Sequence, residues 1–440
     1  MTMYRTIRDI IIALNLTTTM IFAATATMSV SDGWTVNISF EGKTAAIQVP
    51  RPEIYEVKNE EVVLKDYRPN TGGWLRGTAP KGVRTQETTA RFMLIADSMK
   101  VTSSPEADAI VYENNKDYML TADWGTVGRL PNGRIMANQK VYLTYRHAKR
   151  RLDSIVLDAS GKIVFRRGTP HPATPEQPPL AQGELRLANV WLDGNVEKLD
   201  NDVNIYPISE QNFPEQPPQY PCVAERLIPK TYAKLVKGEK VRILAWGDSV
   251  TVGTFVPDPA KQRWQAQVLA RLQQQFPKAE IVMETEAWGG RNTNSYFSVP
   301  EGQPHNYKET VLDKRPDLVI SEFVNDSGFN RDMTYKNYTR IRDDFKTIGA
   351  EWIILTPHYV RPDWMGLKSE KNVDEDPRVY VKSVREFAAE NNIALADASM
   401  RYGRLWRRGI PASSLMMNTI NHPNPFGMSL FADAVMALFR

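Results

Sequence analysis

The sequence predicts an α/β domain with a parallel sheet, preceded by a β-sandwich-like domain. Three observations lead to this prediction. After residue 235, apolar strand-like runs alternate with segments of helical periodicity, which is typical of a parallel sheet covered by helices on both faces. Before residue 205, many short apolar or alternating runs are separated by turn residues, which favours a β-sandwich. Between the two, proline-rich sequence indicates a linker.

The first residues have the pattern of a secretory signal peptide. Two arginines precede a short apolar run, and small residues at Ala24-Thr25-Ala26 form a cleavage site. Polar residues interrupt the run, which is short compared with the ~20 residues that a membrane helix needs. We therefore expect a secreted or periplasmic protein that has no membrane span after cleavage.

These patterns divide the chain into four parts. They are a signal peptide at 1–26, a β-rich domain at 30–207, a proline-rich linker at 208–235 and an α/β domain at 236–440.

The composition excludes several classes of protein. The 55 basic and 51 acidic residues give a net charge of +4, which is too balanced to indicate a nucleic-acid partner. The single cysteine, Cys222, excludes a disulfide within the chain and a cysteine-rich metal site. No two histidines have metal-ligand spacing on one element, so we expect neither a metal nor another cofactor.

The first candidate for chemistry is the segment ILAWGDSVTVG at residues 243–253. A hydrophobic strand runs directly into Gly247-Asp248-Ser249, which places Ser249 on a turn between a strand and a helix. The carboxyl ends of parallel strands form the ligand-binding edge of such sheets, so this serine lies where a site is expected. Its hydroxyl becomes a good nucleophile only if a base removes its proton.

Three later segments supply the other groups that acyl transfer requires. Gly290 follows the next predicted strand and can expose a backbone N–H, and Asn325 ends another strand with an amide that can donate to an oxyanion. His422 lies just before the last helix, where it can act as the base. Nucleophile, base and oxyanion donors therefore all fall at one edge of the predicted sheet.

These four segments resemble, in order, the blocks of the SGNH (GDSL-type) hydrolase superfamily, over roughly residues 240–440. The matching residues are Gly247-Asp248-Ser249, Gly290, Asn325-Asp326 and His422-Pro423. The resemblance implies a flavodoxin-like α/β/α fold that hydrolyses esters. It further implies Ser249 as nucleophile, His422 as general base, and an oxyanion hole made by Ser249 N–H, Gly290 N–H and the Asn325 side chain.

The chain departs from the family at the residue that orients the histidine. The family usually has an aspartate three residues before the histidine, where this chain has Thr419, preceded by Asn418. Loss of this carboxylate usually costs rate, because the imidazolium loses its partner. Either a Ser–His pair acts alone, a backbone carbonyl orients the ring, or a side chain orients it. The candidates for that side chain are Thr419, Asn418, Asp397 and Asp326.

Other polar and aromatic residues at the same edge are candidates for substrate contact. His358 follows a predicted strand, Arg291 and Asn292 follow Gly290, and Asp248 is a candidate although it more readily stabilises its own turn. Trp288 and Trp364 can stack on a sugar face, although tryptophan more often packs in a core.

Together these features favour a secreted serine esterase that removes acyl groups, acetyl in particular, from a polysaccharide or oligosaccharide. A lipase or thioesterase of the same fold would have a long apolar groove at Ser249. A catalytically inactive glycan-binding protein would have Ser249 and His422 too far apart to form a hydrogen bond.

Overall fold

The computed structural model of the protein describes residues 25–440. The predicted signal peptide therefore lies outside the described residues except for its last two, of which Ala26 is buried in a β-sheet core. Across residues 25–440, no helix is both long enough and apolar enough to cross a membrane.

The N-terminal part is built from short strands and one helical turn. In chain order the strands are β1 (Thr27–Ser31), β2 (Thr35–Phe40), β3 (Lys43–Gln48), β4 (Tyr55–Val63), β5 (Leu94–Thr102), β6 (Val111–Tyr112), β7 (Tyr118–Thr121), β8 (Thr126–Arg129), β9 (Lys140–His147), β10 (Arg151–Leu157), β11 (Ile163–Arg166), β12 (Leu185–Leu192) and β13 (Ile205–Pro207), with helix α1 (Asn201–Asn204) before the last. All strand pairs in this part are antiparallel. The predicted β-rich domain is therefore confirmed.

The β domain has two large hydrophobic cores. Sheet β1-β2-β3 and sheet β11-β10-β12-β13 share one core that includes Trp34, Ile38 and Ile155. Sheet β4-β9-β5-β6 and the ribbon β7-β8 share a second core that includes Val101 and Leu143. In β2, buried Val36, Ile38 and Phe40 alternate with more exposed residues, as expected for a strand with one face in a core.

The segment predicted to be a linker is partly helical. It contains α2 (Val223–Leu227) and α3 (Pro229–Lys237), which bury Ala224, Ile228 and Leu235 in the core of the following domain. Cys222 is also buried there, and its sulfur accepts a hydrogen bond from Glu225 N–H at the start of α2. The packed C-terminal layers therefore begin before residue 236.

The C-terminal part is a five-stranded parallel sheet. Its strands are β14 (Lys240–Gly247), β15 (Glu280–Ala287), β16 (Leu318–Glu322), β17 (Glu351–Leu355) and β18 (Ala394–Ala396). Their order in the sheet is β15-β14-β16-β17-β18, and every pair is parallel. This is the flavodoxin-like order, and the fold class expected from the sequence is confirmed.

Helices cover both faces of this sheet. They are α4 (Ser249–Val252), α5 (Pro259–Gln262), α6 (Trp264–Gln275), α7 (Thr293–Phe297), α8 (Arg331–Ile348), α9 (Val379–Glu390), α10 (Ala398–Gly403) and α11 (Pro425–Met436). Along β14, Ile243 and Ala245 enter the core that contains α6 and α11, whereas Leu244 and Trp246 enter the core that contains α8 and α9. Burial on both faces explains why this strand is continuously apolar.

The two domains meet beside the loop that carries His422. Asn189 donates a hydrogen bond to the carbonyl of Gly409 at 2.7 Å, and Glu210 forms an ion pair with Arg404. Closer to the sheet edge, Thr88 donates to the carbonyl of Asn418, and Thr419 donates to the carbonyl of Thr89 at 3.1 Å. The β domain is thus held directly against the loop before α11.

Candidate active site

Ser249 lies at the point where the central strand β14 turns into a helix. A side chain at Gly247 would lie 2.2 Å from Thr251 Oγ1 and 2.3 Å from the carbonyl oxygen of Glu322, so only glycine allows this close turn. Ser249 is the first residue of α4, and its N–H is one of the donors that a helix start leaves free. The turn therefore offers a hydroxyl and a backbone donor at one place.

Asp248 is a buried support for this turn. It is fully buried, and its Oδ1 accepts a hydrogen bond from Val250 N–H at 3.0 Å. Its Oδ2 accepts from both the N–H and the side-chain amide of Asn325, at 2.9 and 2.8 Å. The candidate role of Asp248 in substrate contact is therefore wrong: both oxygens are used inside the protein.

The side-chain amide of Asn325 is oriented by its hydrogen bond to Asp248. Its amide has two hydrogens, and Asp248 accepts one of them, which leaves the other for a group in the cleft. The strand β16 ends three residues earlier at Glu322, so the amide lies at the same sheet edge as Ser249. The predicted oxyanion donor therefore has a fixed orientation before substrate binds.

The loop after β15 passes close to the serine. A Cβ built at Gly289 would lie 3.7 Å from that of Ser249, and Gly290 has the left-handed φ of 71° that favours glycine. This loop brings the Gly290 backbone to the sheet edge that carries Ser249. The position is compatible with the predicted role of the Gly290 N–H.

The neighbours of Gly290 make contacts within the protein. Asn292 caps α7, where its Oδ1 accepts from Ser295 N–H at 3.0 Å. Trp288 is stacked on His305, with ring centroids 4.7 Å apart, and the Arg291 guanidinium lies 5.0 Å from its ring. The Trp288 ring is thus packed by protein groups, which disfavours the predicted sugar stacking there. Arg291 itself is exposed.

His422 forms a hydrogen bond with Ser249. The distance from His422 Nε2 to Ser249 Oγ is 2.9 Å, and both residues are largely buried. The ring of Phe255 packs edge-on against the imidazole, with centroids 5.1 Å apart. The serine and histidine that the motifs predicted, 173 residues apart in the chain, are brought together.

Asn418 contacts the other ring nitrogen. Its Nδ2 lies 2.7 Å from His422 Nδ1, and its Oδ1 accepts from the N–H groups of Ile420, Asn421 and His422. These three donors fix which end of the amide faces the ring. Asn418, which sequence reasoning named as a candidate for orienting the histidine, does lie against it.

A carboxylate from the β domain also reaches this place. Glu87 Oε1 lies 3.6 Å from His422 Nδ1 and 2.9 Å from Asn418 Nδ2. Its side chain is 44% exposed. Sequence reasoning did not name Glu87, because the segment TQETT carries no motif and lies in the other domain.

The other candidates for orienting His422 are directed elsewhere. Asp397 accepts hydrogen bonds from Thr356 and Arg385 and caps α10, so the predicted contact with the histidine is wrong. Asp326 accepts a hydrogen bond from Thr293 N–H. Thr419 has a left-handed φ of 62° and donates its hydroxyl to Thr89 of the β domain, so it does not orient the ring either.

His358 packs against the loop that carries His422 and forms a hydrogen bond to its backbone. It is fully buried, and its Nε2–H donates to the carbonyl of Asn421 at 2.8 Å. Burial and the nearby Arg378 guanidinium hold the pKa of His358 well below its ordinary value, so the ring is neutral. The prediction that His358 contacts substrate is wrong because no surface of the ring is exposed.

A small cavity of about 170 Å³ opens beside Asn325 and Asn421. Val324, Val360 and Trp364 also line it. Trp364 is 49% exposed and lies 5.7 Å, between ring centroids, from Trp74 of the β domain, which in turn packs against Trp124. An aromatic surface built from both domains therefore borders the cavity.

Residues 25–440 contain no group of three or more histidine, cysteine, aspartate or glutamate side chains arranged to hold a metal ion.

Three carboxyl groups are buried beneath the site. Burial raises the pKa of Asp248 to about 6 and that of Asp326 to about 8, and it raises the pKa of Glu322 well above its ordinary value. Asp326 accepts hydrogen bonds from the N–H and the hydroxyl of Thr293. Asp326 therefore keeps its proton in the folded structure at neutral pH.

The raised pKa of Asp326 predicts a loss of stability as pH rises. Asp326 keeps its proton up to about pH 8 in the folded state, whereas the unfolded chain loses it near pH 3.8. The stability that this proton contributes is therefore fully present below pH 3.8 and is lost as the pH rises to about 8. In this window, titration of Asp326 makes the unfolding free energy fall by up to ~1.4 kcal/mol per pH unit as the pH rises. We expect Asp326→Asn to remove this part of the fall. Urea unfolding at several pH values measures the slope. Asp332→Asn, on the exposed first turn of α8, is the matched control. An unchanged slope in Asp326→Asn would contradict the prediction.

Residues 245–430 match the family described as "GDSL-like Lipase/Acylhydrolase family". The matched range contains Ser249, Gly290, Asn325 and His422. The family match therefore covers most of the C-terminal domain, and it confirms the resemblance seen in the motifs.

Several solved structures are similar to part of the chain. A two-domain esterase active on acetylated mannans, crystallised with mannopentaose, is 20% identical over 48% of this chain and 53% of its own, with a TM-score of 0.39. An acetyl xylan esterase from Geobacillus stearothermophilus is 18% identical over 45% of this chain and 94% of its own, with a TM-score of 0.35. A lipolytic protein of the G-D-S-L family from Veillonella parvula is 20% identical over 44% of this chain and 96% of its own, with a TM-score of 0.34.

The chain spans about half the length of the two-domain mannan esterase. Comparison with curated proteins gives no match to this chain.

Proposed function

We propose that this chain is a serine esterase that removes short acyl groups, acetyl in particular, from a carbohydrate. The observation that carries the proposal is the 2.9 Å hydrogen bond between Ser249 Oγ and His422 Nε2. It lies at the sheet edge that also carries the Asn325 amide, which Asp248 holds. Nucleophile, base and oxyanion donor are the parts that acyl transfer needs.

The reaction proceeds through an acyl-enzyme. Ser249 Oγ attacks the ester carbonyl carbon while His422 Nε2 takes the hydroxyl proton. The carbonyl oxygen becomes negative and accepts hydrogen bonds from Ser249 N–H, Gly290 N–H and the Asn325 amide. The C–O bond to the alcohol breaks, and His422 returns its proton to the departing oxygen. A water molecule then repeats the sequence, giving its proton to His422, and releases the acid and free Ser249.

The small cavity supports a short acyl group. Its lining includes the proposed oxyanion donor Asn325 but neither Ser249 nor His422, and its volume of about 170 Å³ is large enough for an acetyl or similarly small group. A lipase would need a long apolar groove at this position. The short acyl group therefore fits better than a fatty acyl chain.

The exposed tryptophan supports a carbohydrate as the alcohol partner. Trp364 borders the small cavity and keeps half of its surface exposed next to Trp74 of the β domain. Aromatic faces of this kind provide apolar contact area for sugar rings. An inactive glycan-binding protein would share this surface but would not keep Ser249 and His422 within hydrogen-bond distance.

Export is part of the proposal. The signal-like pattern at residues 1–26 supports a secreted or periplasmic enzyme, as expected for one that acts on polysaccharide. N-terminal sequencing of protein recovered from the medium or periplasm tests this, and an uncleaved cytoplasmic chain would contradict it.

The test of the proposed function is a panel of esters given to the full purified chain. We expect hydrolysis of aryl acetate, a steep fall toward aryl butyrate and octanoate, and acetate release from acetylated xylan or mannan. The Ser249→Ala variant is measured on every substrate. Absence of Ser249-dependent release from all of them would refute the esterase, and faster hydrolysis of octanoate than of acetate would favour a lipase.

Trp364→Ala is expected to weaken action on oligosaccharides selectively. Loss of one stacking face should lower kcat/KM on an acetylated oligosaccharide by about 3- to 10-fold, mostly through KM, and lower kcat/KM on aryl acetate less, because the Trp364 ring is only one part of the lining of the acyl cavity. Tyr220→Ala, which removes an aromatic ring that is 89% exposed in the proline-rich segment, is the matched control. Equal losses on both substrates would indicate damage to the site instead of lost sugar contact.

A further inference from the structure

We propose that Glu87 of the β domain is the positioning carboxylate for His422. This inference rests on the proposed function, since it assigns a residue that prepares the base of the same reaction. Glu87 takes the part that the family gives to an aspartate three residues before the histidine, a position held here by Thr419.

The argument begins with the tautomer that the reaction needs. To accept a proton from Ser249, His422 must have a free lone pair on Nε2, so its hydrogen must be on Nδ1. An Nδ1–H requires an acceptor nearby. The question is which group provides it.

Asn418 cannot be that acceptor. Its Oδ1 is occupied by the N–H groups of Ile420, Asn421 and His422, which forces Nδ2 toward the ring. An amide nitrogen only donates, so Nδ2 alone at 2.7 Å would favour the opposite tautomer, with the hydrogen on Nε2. Asn418 by itself therefore opposes the base.

Glu87 resolves this conflict because one of its oxygens faces both nitrogens. Oε1 accepts a hydrogen bond from Asn418 Nδ2 at 2.9 Å and lies 3.6 Å from His422 Nδ1. At 3.6 Å this oxygen is within ion-pair range of Nδ1 but beyond hydrogen-bond distance, so it acts on the ring through its negative charge, which favours a proton on Nδ1. Among residues 25–440, no other carboxylate lies within ion-pair distance, 4.0 Å, of His422.

Glu87 is negatively charged at neutral pH. Burial opposes the charged form, but the contact with His422 and the hydrogen bond from Asn418 outweigh it and lower the pKa of Glu87 below its ordinary value. A negative charge beside Nδ1 stabilises the imidazolium that forms when His422 takes the serine proton.

The segment that carries Glu87 is fixed to the histidine loop. Thr88 donates to the carbonyl of Asn418, and Thr89 accepts from the hydroxyl of Thr419. Both Thr88 and Thr89 are buried. Thr419, at the family's aspartate position, has turned toward the β domain and helps to hold the segment that brings the replacement acid.

The experiment compares Glu87→Gln and Glu87→Ala with Glu106→Gln, an exposed glutamate of the β domain that serves as the matched control. In the full chain we expect kcat on aryl acetate to fall by about 10- to 100-fold in the Glu87 variants, with KM within about twofold. Adding Asn418→Asp should restore most of the lost activity, because the aspartate puts a carboxylate oxygen where Nδ2 now meets the ring.

A spectroscopic readout makes the test independent of activity. With five histidines, ¹⁵N-histidine labelling permits long-range ¹H–¹⁵N spectra that distinguish the two ring tautomers, with His422→Asn used for assignment. We expect the Nδ1–H tautomer in the wild-type protein and in Glu106→Gln, and a shift toward Nε2–H in Glu87→Ala.

The outcomes separate this inference from the proposed function. Unchanged kcat, or an unchanged tautomer in Glu87→Ala, overturns the assignment of Glu87. A kcat loss that Asn418→Asp does not restore, accompanied by a lower unfolding temperature, also overturns it in favour of a structural role. If the wild-type chain hydrolyses no ester, the proposed function fails, and the tautomer measurement still decides whether Glu87 positions the ring.

Discussion

Ser249→Ala and His422→Ala are each expected to lower kcat for ester hydrolysis by about 10⁴-fold or more, and the double variant is expected to be no worse than either. The reason is that the two side chains act as one unit across their 2.9 Å hydrogen bond. Without the base the hydroxyl is a weak nucleophile, and without the hydroxyl the base has nothing to activate.

Steady-state kinetics on aryl acetate measure these losses, and labelling by a fluorophosphonate probe reports the nucleophile directly. Ser298→Ala, at the exposed end of α7, is the matched control and should keep wild-type rate and labelling. Substantial activity in Ser249→Ala, or losses that multiply in the double variant, would show that the pair does not act as assigned.

Asn325→Ala is expected to produce the next largest effect, a fall in kcat of about 10²- to 10³-fold with little change in KM. Its amide is held by the buried carboxylate of Asp248 at 2.8 Å, so the second amide hydrogen is aimed before the oxyanion forms. Donors fixed in this way stabilise the transition state more than the ground state, which is why the effect falls on kcat.

The measurement is kcat and KM on aryl acetate together with the unfolding temperature. Asn132→Ala, in an exposed turn of the β domain, is the matched control. A loss confined to KM would mean that Asn325 binds substrate without serving the oxyanion.

Much of the fold follows from local patterns. The run from Ile243 to Trp246 is apolar at every position because the strand is covered on both faces, and this pattern identified a central parallel strand. Once the strands are parallel, their carboxyl ends share one edge, which is why Ser249, Asn325 and His422 could be grouped without a structure.

The incorrect predictions have physical causes that the spacing of residues in the sequence does not reveal. His358 and Asp248 lie at the correct edge, but both are fully buried and make their contacts inside the protein. The helices α2 and α3 lie in a stretch that its prolines marked as a linker, although proline is also favourable at the start of a helix, as at Pro229 in α3. Edge position thus does not by itself establish a site residue.

Glu87 could not have been found from the sequence. It lies 331 residues from Asn418, and only the docking of the two domains brings them within 2.9 Å. The contacts of its neighbours Thr88 and Thr89 each pair a threonine hydroxyl with a backbone carbonyl, and a carbonyl partner leaves no signature in residue types.

The hydrogen bonds that join Thr88 and Thr89 to the histidine loop have a consequence for how this protein could evolve. A catalytic domain that contains all of its own catalytic residues can recombine with different partner domains, because no partner contributes to its chemistry. Because the proposed acid, Glu87, lies on a loop of the β domain, the α/β domain would lose part of its activity when recombined with another β domain. The two domains would then be inherited as a pair, and substitutions at their junction would be constrained by turnover as well as by folding.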